Sequence, residues 1–132
     1  MAKVPVNLSG VLGSVKLDPG DFADLRMTDS QSTSVLIRNG VLEQTGHTHT
    51  YGVAARALVD GAWGFYSTSK STTESARSVL ELAIKMARAA SRGMGERAEV
   101  FRDWSFRENV PLRVGIDPRE VPLEEKLKVA AD

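Results

Sequence analysis

The sequence predicts an α+β domain built as a two-layer sandwich: an antiparallel sheet of about five strands with one long helix on one face. Three observations carry this expectation. Asn39-Gly40 and Asp60-Gly61 each separate two apolar runs. Such dipeptides are the strongest short-range hairpin signal, because a type I′ turn needs φ > 0 at both central positions. Residues 71–92 carry apolar side chains at a period of 3.6, the mark of a helix with one buried stripe. The chain has 132 residues, 42% of them hydrophobic and 26% charged, which suits one folded domain and argues against wholesale disorder.

Taken in order, Leu8, Val11, Leu12 and Val15 recur at helical spacing behind Asn7, a residue suited to the N-cap. Gly10 and Gly13 each weaken that short helix by about 1 kcal/mol relative to Ala. Asp18-Pro19-Gly20-Asp21 reads as a turn. Strands are expected near 22–29, 33–38, 41–47, 52–60 and 62–69. A two-residue loop at Asn39-Gly40 pairs Arg38 with Val41, Ile37 with Leu42 and Val35 with Gln44, and leaves Arg38 and Glu43 diagonal neighbours. The same loop at Asp60-Gly61 sets Trp63 opposite Leu58 and Phe65 opposite Arg56.

The long helix is expected over 72–92. Ser71-Thr72-Thr73-Glu74 fits a capping box with Ser71 at the N-cap. Ala76, Val79, Leu80, Ala83, Ile84, Ala87 and Ala90 form the stripe, and Gly93 is placed to stop it. Beyond it, Ala98–Phe101 and Leu112–Ile116 have short-strand composition, and Pro111, Pro118 and Pro122 suggest an extended connector. Pro122 suits the first position of a last helix, Leu123–Ala131. Nine residues are too few for a stable helix alone in water. The segment after about Gly115 is therefore expected to be mobile or docked on a neighbour. This divides the chain into 1–110 and a connector with a final helix over 111–132.

Composition excludes several functions. Lys plus Arg and Asp plus Glu both number 17, for a formal net charge of zero, a poor basis for general nucleic-acid or anionic-membrane binding. There is no Cys, which excludes disulfides, thiolate metal ligands and cysteine nucleophiles. No stretch approaches the roughly 20 apolar residues of a membrane span, and the first residues lack the apolar core of a signal peptide. The expected location is the cytoplasm.

Motifs with chemical content are incomplete. Gly64 to Ser71 fits the phosphate-loop pattern G-x-x-x-x-G-K-[ST] except at Ser69, where the second Gly should let the backbone wrap a phosphate. The strand before it belongs to an antiparallel hairpin, so a strand, a polar turn and a capped helix is the plainer reading. Gly93 to Ala98 matches G-x-G-x-x-A but follows a helix instead of a strand. His47 and His49 are the only histidines and point the same way on a strand. No third ligand is marked out for zinc. Lys85, Arg88 and Arg92 line one flank of the long helix with Glu81 among them, which reads as a solvated face. The residues thus assign no catalytic, cofactor-binding or metal site.

One surface stands out. If Val53, Ala55, Ala57, Val59, Ala62 and Gly64 meet the Ala-rich helix stripe, then Leu58, Trp63 and Phe65 fall on the opposite face beside Arg56. Exposed aromatic and apolar side chains mark an interface, and Arg56 would stack on Phe65 as a cation–π pair; the alternative is that the sheet curls or the N-terminal segment covers this face, which makes Trp63 ordinary core.

The runs Arg38-Asn39-Gly40-Val41-Leu42-Glu43 and Tyr51 through Phe65 resemble the N-terminal domain of the TldD/PmbA family, also called modulators of DNA gyrase. So do Phe22 to Arg26, the Ala-rich helix, and Val121 to Lys126 at the start of the family's next region. The resemblance implies an α+β two-layer domain from cytoplasmic zinc peptidases that pair as homo- or heterodimers and act on peptides and small proteins. The family's zinc-binding His-Glu-x-x-x-His helix lies well after this domain and is absent here, so no catalytic residue carries over and zinc is expected to have no ligands in this chain. The first helix is shorter and more glycine-interrupted than the family pattern. The expectation is either an excised first domain or one encoded apart from its catalytic half. Its expected role is non-catalytic, contributing to subunit assembly and to the peptide cleft. Its expected partners are the catalytic C-terminal portion or a TldD/PmbA-type subunit, and peptide substrates through the assembled enzyme, with no nucleic acid and no membrane. The competing readings are a free-standing protein-binding adaptor and, more remotely, a nucleotide-binding enzyme built on Gly64 to Ser71.

Overall fold

The computed structural model describes residues 6–100, 108–111 and 113–131. In chain order they form α1 (Leu8–Gly13), β1 (Phe22–Arg38), β2 (Val41–Val59), β3 (Ala62–Thr68), α2 (Thr73–Ser91) and α3 (Leu123–Ala131). The chain is α+β, and among the described residues its sheet has three strands in the order β1-β2-β3. Contacts divide the chain into two units, Met1–Ser30 with Thr50–Arg102 and Gln31–His49 with Asp103–Asp132. β1 and β2 contribute residues to both.

Three strands replace the expected five. The expected breaks at 30–32 and 48–51 lie inside β1 and β2. Ser30-Gln31-Ser32 and Thr48-His49-Thr50-Tyr51 are polar but hold neither Pro nor Gly. Without turn chemistry, and with Thr and Tyr favouring extended backbone, the strands run on. The expected strand at Ala98–Phe101 is absent over 98–100, where Ala98 N–H makes a single 2.9 Å bond to Gly61 O. The expected Leu112–Ile116 strand is absent over 113–116. Phe101 and Leu112 lie outside the described residues.

The turns follow their chemistry. Asn39 (φ 51°) and Gly40 (φ 74°), then Asp60 (φ 49°) and Gly61 (φ 76°), take the left-handed conformation that a type I′ turn demands. Gly20 at φ 94° follows Pro19, and Asp21 N–H donates to Asp18 O at 3.0 Å, which is a type II turn. β2 and β3 are antiparallel with Val59 opposite Ala62, Leu58 opposite Trp63 and Arg56 opposite Phe65, the register a two-residue loop sets. The first hairpin is less regular. At its turn Arg38 Nε lies 3.5 Å from Glu43 Oε1, the diagonal that pairing Arg38 with Val41 produces. Continued, that register would set Ser34 against Thr45 and Thr33 against Gly46. Instead a Cβ on Gly46 would lie 2.8 Å from Ser34 Oγ, and Thr33 Oγ1 is 3.3 Å from His47 Nδ1. β2 therefore carries one extra residue between Glu43 and Gly46, a bulge that swaps the faces of the residues beyond it.

A buried cluster joins Val53, Ala55, Ala57 and Val59 of β2 to Ala76, Val79, Leu80, Ala83, Ile84 and Ala87 of α2, with Val11 and Ala23. Small residues set the spacing between these elements. A Cβ at Gly64 would overlap the Ala83 carbonyl oxygen and lie 2.6 Å from the Ala87 amide nitrogen. Ala90, the last member of the expected stripe, is exposed.

α2 is capped one residue later than expected. Thr72 is the N-cap, its hydroxyl accepting from Ser75 N–H at 3.1 Å, while Thr72 N–H donates to Ser75 Oγ at 3.0 Å. Ser71 Oγ is buried without a hydrogen-bond partner among the described residues. Ser75 closes the box in place of Glu74 because a hydroxyl reaches the N-cap amide as well as a carboxylate does. Thr72→Ala should cost about 1 kcal/mol in urea unfolding. Ser71→Ala, expected to be neutral or slightly stabilising, separates this cap from the alternative. Asn7 caps α1 as its position suggests, accepting from Gly10 N–H at 2.8 Å. Gly93 follows α2 without the positive φ of a left-handed stop. The last helix forms, but none of its residues is buried.

Candidate functional site

The candidate site is the sheet face turned away from the buried cluster. Alternation dictates its membership. In β2, Val53, Ala55 and Ala57 enter the cluster, so Ala54, Arg56 and Leu58 take the other face. Cross-strand pairing adds Trp63, Phe65 and Ser67 from β3. In β1, Ala23 and Leu25 belong to the cluster, which leaves Phe22, Asp24 and Arg26 on the site face.

Arg56 organises this surface. Its Nε donates to Asp24 Oδ1 at 3.1 Å and Oδ2 at 2.9 Å, and its terminal nitrogen also bonds Oδ2. The forked contact is the strong geometry for guanidinium and carboxylate. The bond to Asp24, and then the Asp24 charge, raise the Arg56 pKa above its ordinary value, so it stays a cation. Because the pair is partly exposed, its contribution is chiefly to hold the guanidinium still. Arg56 Cζ lies 5.7 Å from the Trp63 ring centroid. Trp63 stacks on Phe65 (6.0 Å, 29°) and meets Phe22 edge-on (6.0 Å, 76°). A groove of about 640 Å³ runs beside this group, lined among others by Asp24, Arg26, Ala54, Arg56, Phe65 and Ser67.

Two expectations change. Leu58, paired with Trp63, is 1% exposed and belongs to no exposed patch. Among the described residues the cation–π partner of Arg56 is Trp63 instead of Phe65, which stacks on Trp63. Phe65 is 57% exposed and Trp63 half-buried. Asp24 and Phe22 were not singled out by sequence. Their alternation with Ala23 and Leu25 was the available signal, but it becomes informative only once β1 is known to border β2.

His47 sits in β2 against Thr33, and His49 makes contacts of its own. Among the described residues no three His, Cys, Asp or Glu side chains come together as a metal site. Gly64 lies mid-strand opposite Ala57, beneath α2, and does not open a phosphate-wrapping loop. Among the described residues no helix is long and apolar enough to cross a membrane.

Residues 23–87 match the family model described as PmbA/TldA metallopeptidase domain 1. Over these residues the chain is similar to the first domain of the PmbA/TldD family. The PmbA/TldD match begins in β1 and ends in α2, so it takes in the groove, Trp63 and Phe65, and the cluster behind them apart from Val11. The chain is 27% identical over 117 residues to a metalloprotease of Methanocaldococcus jannaschii, covering 88% of this chain and 26% of that protein. It is 27% identical over 124 residues to a metalloprotease of Methanothermobacter thermautotrophicus, covering 92% and 26%. For a metalloprotease of Archaeoglobus fulgidus the figures are 25% over 111 residues, 84% and 24%. The chain thus spans about a quarter of the length of these relatives. No solved structure gives a significant match.

Proposed function

We propose that this chain serves as a non-catalytic first domain of a PmbA/TldD-type metallopeptidase. It docks through the Arg56, Trp63 and Phe65 face onto the catalytic portion or a partner subunit, and borders the cleft that receives peptide. The observation that carries this reading is the aromatic face itself. Phe65 is 57% exposed beside a guanidinium already oriented by Asp24. Preoriented arginine with aromatic neighbours is the composition of interface hot spots. The same view is supported by the buried cluster, which joins β2 to α2 through the other face of the strand. In the assembled enzyme zinc would supply Lewis-acid chemistry from ligands outside the described residues. The working state is a cytoplasmic homo- or heterodimer acting on peptides or small proteins, without nucleic acid or membrane.

The purified chain should show no peptidase activity and retain far less than one zinc per chain after chelator dialysis, since two histidines are one ligand short of a protein zinc site. One zinc per chain, lost in the His47→Ala, His49→Ala double variant, would overturn this. Docking is tested by co-purifying the chain with the region that follows the first domain in the M. jannaschii relative. Failure to associate at micromolar concentration would count against the reading.

A further inference from the structure

We infer that the Lys85, Arg88 and Arg92 flank of α2 is a second docking surface, one that takes an acidic, partly apolar peptide segment of a protein partner. It goes beyond the aromatic face and involves none of its residues. The three cations lie on one row of the helix with Glu81, at steps of four, three and four residues, and the span from Lys85 to Arg92 is about 10 Å. None of the three makes an ion pair among the described residues, although Glu81 stands four residues before Lys85, the favourable order for one. The row borders a groove of about 540 Å³. Its apolar lining is Ile84, itself 7% exposed, with half-buried Val15 and the small, exposed Ala89.

A plainly solvated helix flank would be convex and polar throughout. Here three cations without an ion pair among the described residues edge an apolar recess that has the one carboxylate, Glu81, in its described lining, and Ala89 lets a partner backbone come close. Carboxylates spaced along about 10 Å of an extended or helical segment match the cations, and an apolar side chain between them fills the recess. An acidic protein segment fits this better than nucleic acid, because the described lining holds no aromatic residue for base stacking and the chain's net charge is zero. It fits better than a membrane, because the apolar residues are recessed where bilayer insertion needs them to protrude.

The test is fluorescence anisotropy of the full chain with a labelled peptide of alternating glutamate and leucine. Parallel probes are the same peptide with glutamine for glutamate, a 12-base-pair DNA duplex, and phosphatidylserine vesicles. The glutamate peptide should bind and weaken with added salt, and the glutamine peptide should bind at least about tenfold more weakly. Lys85→Glu with Arg88→Glu should reduce binding by about tenfold or more, with the helix content of the chain unchanged. Ala89→Arg keeps the charges, obstructs the recess, and should also weaken binding. Several outcomes would overturn the inference: no binding of the glutamate peptide, equal binding of the glutamine peptide, indifference to both variants, or tighter binding of DNA or vesicles. Trp63→Ala should leave this binding unchanged, so failure at the aromatic face and failure here can be told apart.

Discussion

Gly64→Val should destabilise the domain by about 3 kcal/mol or more and is expected to leave it largely unfolded at 37 °C. Gly64 faces α2 from the middle of β3, opposite Ala57. Even one added carbon would overlap the Ala83 carbonyl oxygen and crowd the Ala87 amide. Those are backbone atoms of a helix, so no side chain can rotate away. The elements must separate, which loosens Ala55, Ala57, Val79, Leu80 and Ala83, all within 1% of full burial. Overpacking a core usually costs 1–3 kcal/mol; a backbone obstacle places this case at or above the upper end. Gly64→Ala should show a smaller loss in the same direction. Urea unfolding by circular dichroism measures both. A Gly64→Val domain within 0.5 kcal/mol of the parent would show that helix and strand do not meet closely at this point.

Trp63→Ala should weaken association with the catalytic region by about 2 kcal/mol, close to thirtyfold in Kd. The indole is the hub of the site face: Phe22 meets its edge, Phe65 stacks on it, and Arg56 approaches its ring. Truncation removes contact area and the surface against which Phe65 is held. Trp63 belongs to no part of the cluster beneath α2, so the fold should survive, with some loss of stability from baring Leu58. Phe65→Ser guards against confusion with unfolding. Phe65 is mostly exposed, so its loss should leave stability nearly unchanged and still weaken association by about 1 kcal/mol or more. Titration calorimetry with both variants checks this. Unchanged affinity in both would remove the face from the interface.

Local chemistry made much of the fold legible. Asn39-Gly40 and Asp60-Gly61 specify their turns because few other residues accept positive φ twice in succession, and the second turn then dictates which β2 residue meets which β3 residue. The stripe from Ala76 to Ala87 needed only its period. The misread features depend on less local effects. Where β1 and β2 continue through polar residues, the strand persists because nothing ends it, and an absent terminator is a weak signal. The cap moved from Ser71 to Thr72 because two adjacent hydroxyl residues offer equivalent starts, and tertiary placement chose between them. The bulge between Glu43 and Gly46 has no composition of its own. At the candidate site, Arg56, Trp63 and Phe65 were visible from alternation along one hairpin. Asp24, which holds Arg56, comes from a strand whose place in the sheet no local pattern reveals.

The most direct measurement of the docking claim is hydroxyl-radical footprinting of the chain, free and mixed with the region that follows the first domain in the M. jannaschii relative. Oxidation of Phe65 and Trp63 should fall several-fold in the mixture, while exposed Met86 on α2 and exposed Val41 beside the first turn react as before. Unchanged oxidation of Phe65 and Trp63 in a mixture shown by sedimentation to be a complex would contradict the account.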